Sequence, residues 1–292
     1  MDCKPQFRTV EQGALSGPCR SQATLPGRSI CSEVVDGIRQ LPSESVHLTV
    51  TSPPYDALRT YRGVRKFNPH QVAAELLRVT VPGGVVVWIV NDQVIDGSES
   101  CSSFRQALAF RDCGWRLHDT MIYQRISPFP DSVRYHASFE YMFIFAHGSP
   151  RVFNRIADRR NGMPGKRIKG TERQADGTLK PFDRGAIRQE FGSRTNVWQC
   201  ATGFRKTAPD AEVHEHPAAM PLRLAADHVR SWSNPGDTVL DCFSGSGQTA
   251  IAAELLDRRW IMIDVAEDYL GLAARRLAGM RANRQKFLDF CA

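Results

Sequence analysis

A short apolar strand that ends in two prolines constrains the fold of this chain more than any other feature. Val46, Leu48 and Val50 alternate with other residues, and Pro53 and Pro54 follow soon after. Such alternation in a stretch rich in β-branched residues favours a β-strand. Prolines cannot donate to a sheet ladder and fix their own φ, so the chain must leave the sheet here through a stiff turn. In open α/β sheets, such turns at strand carboxyl ends are where ligands bind.

The turn itself, residues 51–55 with the sequence TSPPY, has the composition of a site for a planar amine. The two prolines leave carbonyl oxygens without competing N–H groups, Ser52 adds a hydroxyl oxygen, and Tyr55 adds an aromatic face. These groups match a flat heterocycle that carries an exocyclic amino group. On its own, however, the turn is equally typical of a surface turn before a helix, with Tyr55 as a half-buried anchor.

A second stretch, residues 237–250, predicts a strand, a glycine-rich turn and the start of a helix. Gly245 and Gly247 let the backbone pass close to a ligand, because a Cβ there would collide with it or force an unfavourable φ. Asp264 ends the next predicted strand, nineteen residues after Gly245, where a carboxylate can accept hydrogen bonds from two ribose hydroxyls. Asp241, at the end of the first strand, is expected to bind an amino group of that ligand.

Together, the two motifs resemble those of the β-group of S-adenosylmethionine-dependent DNA amino-methyltransferases. In that family an [S/D/N]-P-P-Y motif comes first and a D-x-F-x-G-S-G-T loop second, as residues 52–55 and 241–249 do here. Residues 216–222 (HPAAMPL) resemble the family segment that borders the methionine part of the cofactor, with Met220 where phenylalanine is frequent. The resemblance covers roughly residues 27–277.

The resemblance implies an α/β fold with a Rossmann-like methyltransferase sheet. The sheet is expected to be circularly permuted, with the catalytic loop before the cofactor loop, and to carry an inserted target-recognition region. The expected parts are an N-terminal extension (1–25), the catalytic half of the methyltransferase domain (26–147), a basic target-recognition insertion (148–212) and the cofactor-binding half (213–292).

Three further elements of the catalytic half are predicted from the apolar pattern. Residues 30–41 have helical spacing, with Ser32 as a candidate N-cap. Residues 85–90 form a continuous apolar run, which is typical of a strand buried on both faces. Residues 115–124 and 139–146 predict a hairpin at the sheet edge, and the second run resembles the E-x-x-x-x-F strand of the family.

The predicted insertion is strongly basic. Residues 148–210 contain fourteen Arg and Lys against six Asp and Glu, whereas the whole chain has a net charge of +7. A basic segment in an otherwise neutral chain indicates a polyanionic partner, here double-stranded DNA, and a solvated basic loop is the alternative. The expected DNA contacts are Arg59 and Arg62 near the catalytic turn and Arg159, Arg160, Lys166, Arg167 and Lys169 in the insertion.

Cysteine spacing and hydropathy bound the remaining partners. The eight cysteines include no C-x-x-C pair and no zinc-ligand spacing with histidine, so we expect reduced thiols and no metal. The sequence has no apolar run long enough for a membrane span and no signal-peptide core, so we expect no membrane partner. We expect a cytoplasmic protein of prokaryotic or phage type, associated with the nucleoid through DNA. The family suggests a homodimer and a cognate restriction endonuclease as further partners.

The resemblance implies transfer of a methyl group from S-adenosylmethionine to the exocyclic N4 amine of cytosine in DNA. Serine in the first motif position is the family's usual mark of cytosine, and the N6 amine of adenine is the alternative. Catalysis is assigned to Ser52, Pro53, Pro54 and Tyr55. Cofactor binding is assigned to Thr51, His216, Pro217, Asp241, Phe243, Ser244, Gly245, Ser246, Gly247, Thr249 and Asp264.

Two other classes of protein are weighed against this interpretation. Gly245, Gly247 and Ala250 also match the glycine fingerprint of NAD-dependent dehydrogenases. Such a fold normally opens with that loop, whereas here about 240 residues precede it, and the TSPPY turn would have no role. The other alternative is a non-catalytic DNA-binding protein of this fold that keeps the cofactor only for structure.

Overall fold

The computed structural model describes residues 27–55, 67–129 and 131–292. The predicted N-terminal extension lies outside these ranges, as do Arg59 and Arg62, the two DNA contacts predicted beside the catalytic turn.

Strands and helices alternate along both halves of the chain. The strands are β1 (Arg28–Cys31), β2 (Val46–Thr51), β3 (Thr80–Val90), β4 (Val94–Ile95), β5 (Ser98–Glu99), β6 (Arg116–Phe129), β7 (Ala137–Ala146), β8 (Arg159–Arg160), β9 (Arg167–Arg173), β10 (Leu179–Ile187), β11 (Phe191–Gly192), β12 (Val197–Cys200), β13 (Thr238–Asp241) and β14 (Arg259–Asp264). The helices are α1 (Val34–Arg39), α2 (Pro69–Val79), α3 (Ser102–Asp112), α4 (Leu222–Trp232), α5 (Gln248–Leu255), α6 (Glu267–Ala282) and α7 (Arg284–Cys291), with a 3₁₀ turn at Glu212–Glu215.

Among the described residues, eight strands form one sheet in the order β1-β14-β13-β2-β3-β7-β6-β12. All of its neighbouring strands are parallel except that β7 runs antiparallel to both β3 and β6. The carboxyl ends of β2, β3, β6, β12, β13 and β14 therefore meet at one edge, which we call the carboxyl edge. The predicted α/β fold is confirmed, with the late cofactor strand β13 beside the early catalytic strand β2.

The sheet is covered on both faces, as the apolar run of β3 predicts. Val87 and Ile89 face a core formed with α4, α5, α6 and α7, whereas Val86 and Trp88 face a second core formed with α1, α2 and α3. Trp88 is fully buried, and its indole N–H donates to Gln106 Oε1 of α3 at 2.8 Å. Within the ranges described above, no helix is long and apolar enough to cross a membrane.

The first predicted helix is wrong at its start. Residues 28–31 form β1, an edge strand that pairs in parallel with β14 and places Ile30 beside Ile263. The helix begins only at Val34, and its N-cap residue is Glu33 rather than Ser32. The apolar spacing was ambiguous here because a four-residue strand followed by a short helix has too few buried positions to reveal either period.

The hairpin β6–β7 is confirmed, but it does not form the edge of the sheet. β12 pairs in parallel with β6, with Trp198 beside Tyr123, and takes the edge position. This strand comes from the predicted insertion, so part of that segment belongs to the main sheet. The rest forms small exposed ladders, β8 with β11 and β9 with β10. The domain boundaries at residues 148 and 212 stay predictions.

Candidate active site

The catalytic turn and the glycine-rich turn meet in one cavity at the carboxyl edge. The turn after β2 and the turn after β13 are adjacent because the two strands pair directly. Nine of the predicted site residues line the cavity, namely Ser52, Pro54, Tyr55, His216, Phe243, Ser244, Gly245, Ser246 and Asp264. The other predicted members, Thr51, Pro53, Pro217, Asp241, Gly247 and Thr249, are not part of its wall.

A chain of hydrogen bonds fixes the catalytic turn. The Tyr55 hydroxyl donates to Glu140 Oε2 at 2.7 Å, and Ser52 Oγ lies 2.9 Å from the same hydroxyl. Arg125 Nη1 lies 2.9 Å from the other carboxylate oxygen of Glu140, and this ion pair is largely buried. An ionised carboxylate accepts hydrogen bonds and donates none. Because Tyr55 gives its proton to Glu140, Ser52 must donate to Tyr55.

The direction of this chain decides what Ser52 can offer a ligand. Once its single proton points to Tyr55, the lone pairs of Ser52 Oγ are left as acceptors toward the cavity. At the carboxyl end of β2, the Ser52 hydroxyl can therefore accept a hydrogen bond from a ligand but cannot donate one. A ligand that carries N–H groups satisfies this acceptor, whereas a carbonyl oxygen would be repelled.

Asp241 lies behind the glycine-rich turn after β13, which we call the cofactor turn, rather than in the cavity. Its Oδ1 accepts from Thr51 Oγ1 at 2.6 Å and from the backbone N–H of Phe243 at 3.2 Å. Burial raises the pKa of this carboxyl to about 6. The predicted direct contact between Asp241 and a cofactor amino group is not supported by this geometry, because the carboxylate is enclosed and holds together the two turns. Thr249 has a similar bracing role, since its hydroxyl donates to the carbonyl of Val50 at 3.1 Å.

Asp264 both lines the cavity and shapes the glycine-rich turn. Its two oxygens accept from the backbone N–H groups of Gly245 at 2.8 Å and Ala266 at 3.0 Å. Burial raises the pKa of the Asp264 carboxyl. Each oxygen has a second lone pair, so the carboxylate can still accept from hydroxyl groups of a ligand.

The two glycines of the turn are required by the protein itself. Gly247 has φ +78°, and a Cβ there would lie 2.7 Å from the Cβ of Ala273 on α6. Gly245 has φ +46°, and its Cβ would lie 2.7 Å from His216 Nε2. Both φ values lie in the left-handed region that L-residues other than glycine disfavour. These glycines were predicted from the close approach of a ligand, and the structure adds close packing against α6 and His216.

A fully buried arginine braces the same turn and was missed from the sequence. Arg276 of α6 donates to both oxygens of Asp210, at 2.6 and 3.0 Å, and to Gln248 Oε1 at 2.9 Å. It also donates to the backbone carbonyl of Ser246. A single arginine in an amphipathic helix carries no signal of burial in the sequence, because its partners are far away along the chain.

Several other cavity residues were not assigned from the sequence. The polar and aromatic residues that join the wall include Glu33, Asn91, Tyr123, Arg125, Glu140, Gln248 and Tyr269. Asn91 could have been found because it follows β3, and Glu140 because its strand resembles a family motif. Glu33 could not, because the helix was predicted to begin too early. Asp92, next to Asn91, instead caps α3 by accepting from the Ser103 N–H at 2.9 Å.

The predicted DNA contacts of the insertion are exposed and lie outside the cavity wall. Arg159 and Arg160 are in β8, Arg167 and Lys169 are in β9, and Lys166 precedes β9. Some of them are engaged locally. Arg167 Nε lies 2.7 Å from Asp183 Oδ2, and Arg159 Nε donates to the carbonyl of Ser193 at 2.9 Å. In the described part of the chain, no cluster of three or more His, Cys, Asp or Glu could hold a metal ion.

A strand-end turn with a serine hydroxyl facing a cavity, beside a glycine-rich turn braced by an acidic residue, is the arrangement expected of an amino-methyltransferase. The family model described as DNA methylase, for N6 and N4 methyltransferases, matches residues 46–275. The chain belongs to this DNA methylase family, and it is a DNA methyltransferase of the N4/N6 amino-methyltransferase type.

Similar proteins cover most of the chain. The orphan methyltransferase M.BamHII of Bacillus amyloliquefaciens is 48% identical over 236 residues, which is 80% of this chain and 89% of that protein. The PvuII DNA methyltransferase, described as cytosine-N4-specific, has a TM-score of 0.62 at 18% identity and covers 86% of both chains. A DNA modification methylase of Thermus thermophilus, solved with S-adenosyl-L-methionine, has a TM-score of 0.57 at 23% identity, covering 87% of this chain and 94% of that one.

Proposed function

We propose that the protein transfers a methyl group from S-adenosylmethionine to the N4 amine of cytosine in double-stranded DNA. The observation that carries this proposal is the hydrogen-bond chain from Glu140 through Tyr55 to Ser52, which leaves Ser52 Oγ as an acceptor for an amino group. Both cytosine and adenine present such an amine. The choice of cytosine rests on serine in the first position of the motif, which is the family's usual mark of that base.

The cavity residues fit S-adenosylmethionine, whose sulfonium and ammonium groups are cationic. Asp264 and Glu33 supply carboxylates to the wall, and Phe243 supplies an aromatic surface. Ser244 Oγ is buried and has no hydrogen-bond partner among the described residues, which is the state expected of a group that a ligand satisfies. When bound, the cofactor supplies an electrophilic methyl group.

The residues proposed to hold or shape the cofactor site form two groups. Those in the cavity wall are proposed to contact the cofactor: His216, Phe243, Ser244, Gly245, Ser246 and Asp264. Those behind the wall are proposed to act by fixing the two turns: Thr51, Pro217, Asp241, Gly247 and Thr249.

The catalytic turn is proposed to orient the amine rather than to form a covalent intermediate. The lone pair of the exocyclic nitrogen is delocalised into the base, so it must be turned toward the methyl group. Ser52 Oγ in the cavity wall would hold one N–H group and so orient the lone pair. The carbonyl of Pro53, a residue that is not itself part of the wall, is the proposed second acceptor, while the two prolines keep the turn stiff. The base must leave the duplex to reach the site, and stacking on the Tyr55 ring would return about 1 to 3 kcal/mol.

The basic insertion is proposed to hold the DNA. Its exposed Arg and Lys side chains would neutralise phosphates, and the β9–β10 hairpin is a two-stranded ribbon of the kind that enters a major groove. A homodimer, a cognate restriction endonuclease and a cytoplasmic location are further parts of this proposal, as are the boundaries of the insertion at residues 148 and 212.

Mass spectrometry of nucleosides tests the proposed reaction. The protein is incubated with S-adenosylmethionine and mixed-sequence bacterial DNA, which is then digested to nucleosides. We expect N4-methylcytosine with the wild-type protein and, at equal incubation time, about 100-fold less with Ser52→Ala. N6-methyladenine would contradict the choice of cytosine but keep the mechanism. The absence of both products would contradict DNA methylation by this chain.

A further inference from the structure

The turn between β6 and β7 exposes two large apolar side chains that lie two positions apart in the sequence. In residues 131–136, Val133 is 87% exposed and the side chain of Tyr135 is completely exposed, at 102%. Scattered exposed apolar residues are normal on a protein surface, but a contiguous exposed apolar patch usually marks an interaction site. Val133 and Tyr135 contribute nothing to either core of this fold, so their apolar character points to a partner.

This turn stands at the carboxyl edge, close to the catalytic turn. β6 runs from Tyr123 and Arg125 in the cavity wall toward the turn, and β7 returns from it to Glu140, which binds Tyr55 at 2.7 Å. Glu140 comes five positions after Tyr135, which in extended chain is about 17 Å. The exposed side chains are therefore within reach of a duplex whose target base occupies the cavity.

Local hydrogen bonds hold the turn in shape. Asp131 Oδ1 accepts from the backbone N–H groups of Val133 at 2.8 Å and Arg134 at 3.0 Å. The Arg134 guanidinium donates to the carbonyl of Gly97, in the turn that joins β4 and β5. The apolar side chains are thus presented outward from a braced turn, with a cationic side chain between them.

We propose that Val133 and Tyr135 enter the DNA beside the target base and fill the space that this base leaves when it is extruded. The proposal rests on the proposed methylation of a base in duplex DNA. Extrusion breaks stacking on both sides of the base at a cost of a few kcal/mol. Apolar side chains of other DNA-binding proteins insert between base steps in a similar way. An aromatic ring can restore part of the lost stacking. The positive charge of Arg134 suits the phosphates on either side.

A comparison of paired and unpaired targets tests this wedge. The site that the wild-type protein methylates is first mapped, and two synthetic duplexes are built on it. In one, the target base is normally paired; in the other, it lies opposite an abasic position, where extrusion costs little. The test variant is Val133→Ser with Tyr135→Ser, and the control is Leu108→Ser on α3, which replaces another exposed apolar side chain, 59% exposed.

For the double variant we expect kcat/KM to fall about tenfold or more on the paired duplex, because about one stacking interaction is lost. On the abasic duplex it should stay within about threefold of wild type, which also shows that the variant is folded. Leu108→Ser should behave as wild type on both.

An equal loss on both duplexes, or no loss on either, would overturn the proposed wedge. If the mapped base is adenine, the proposed cytosine specificity fails while the wedge is still tested by the same pair of duplexes. If the wild-type protein methylates no DNA at the mapping stage, the proposed function fails, and the wedge fails with it.

Discussion

The cofactor turn and the β9–β10 hairpin hold their polar side chains in opposite ways. Around the cofactor turn, Asp241 and Arg276 are enclosed and Asp264 is half-buried in the cavity wall. Each of the three hydrogen-bonds to backbone or side chains of another element. In the hairpin nearly every side chain is exposed, and its ion pair between Arg167 and Asp183 lies within the hairpin itself.

This difference indicates which parts of the molecule hold their side chains in one fixed geometry. Buried polar groups are costly when a partner is lost, so they fix one geometry, as methyl transfer requires. Exposed charges are screened by salt, and their side chains can change position at little cost in free energy. This suits contact with phosphates along a duplex. Substitutions of polar and charged side chains in each region test this contrast.

The buried arginine should give the largest effect on stability. Arg276→Met removes a guanidinium that is 0% exposed and leaves Asp210 and the carbonyl of Ser246 without their donor. We expect the free energy of unfolding to fall by about 3 to 5 kcal/mol in urea titrations. The neighbouring Arg275→Met is the matched control, because its pair with Glu215 is more than half exposed on both sides and should contribute less than about 1 kcal/mol. Equal losses for the two variants would remove the contrast between buried and exposed pairs.

The amine acceptor should give the largest effect on turnover. Ser52→Ala removes the hydroxyl that we assign to hold the target amine, so kcat should fall about 100-fold, as when one positioned group is lost from a reactive site. The dissociation constant of S-adenosylmethionine, measured by calorimetry, should change less than about threefold, since the cofactor turn is intact. A comparable weakening of cofactor binding would move Ser52 from the amine site to the cofactor site.

The buried carboxyl of Asp241 should make stability depend on pH. Its pKa is about 6 in the folded protein, above the ordinary value of 3.8, so the folded state binds this proton more tightly than the unfolded state. The contribution of the protonated Asp241 carboxyl to the free energy of unfolding is complete below about pH 4 and is lost as the pH rises through 6. When urea titrations at pH 4 and pH 7.5 are compared, the free energy of unfolding of Asp241→Asn should therefore rise by about 2 kcal/mol relative to that of wild type. Parallel curves of unfolding free energy against pH for Asp241→Asn and wild type would contradict the assignment.

The carboxylate in the cavity wall should affect cofactor binding. Asp264→Ala removes an acceptor from the wall and the partner of the Gly245 N–H, so the dissociation constant of S-adenosylmethionine should rise about tenfold. Asp264→Asn keeps an acceptor oxygen for one of these contacts, so the dissociation constant should rise less than it does for Asp264→Ala. If Asp241→Asn weakened binding more than Asp264→Ala did, the two aspartates would have exchanged roles.

The smallest effects are expected in the exposed region. Replacing Lys166 and Lys169 by Gln should flatten the slope of log affinity for DNA against log salt by up to about 2, because two phosphate contacts are lost. Arg167→Gln should change the slope less, since Asp183 already neutralises its charge. Folding and cofactor binding should be unaffected in all of these variants. An unchanged slope would place this hairpin outside the DNA interface.

The sequence predicted the parts of the fold whose signals are local. The prolines after β2 and the glycines after β13 act within a few residues of their own position, so both turns and their strands were found. β12 was missed because its partner β6 lies about 75 residues away, and nothing in four residues reveals that pairing. β1 was missed for the same reason, since its pairing with β14 spans most of the chain.

The candidate site was predicted as residue types but not as contacts. Ser52, Tyr55 and Asp264 could be assigned because they stand at strand ends beside motif residues. The enclosure of Asp241 and the burial of Arg276 depend on how distant elements pack, which a single sequence does not reveal. The direction of the Ser52 hydroxyl depends on Glu140, 85 residues from Tyr55.

The proton of Ser52 is the centre of this account, and Glu140→Gln tests it most directly. Arg125 would take the amide oxygen of the new side chain, so that its amide nitrogen would face Tyr55 as a donor. Tyr55 would then donate to Ser52, and the Ser52 proton would point toward the target amine. We predict that kcat for methyl transfer falls about tenfold while the dissociation constant of S-adenosylmethionine stays within about twofold. An unchanged kcat would contradict the proposal that Glu140 keeps Ser52 an acceptor.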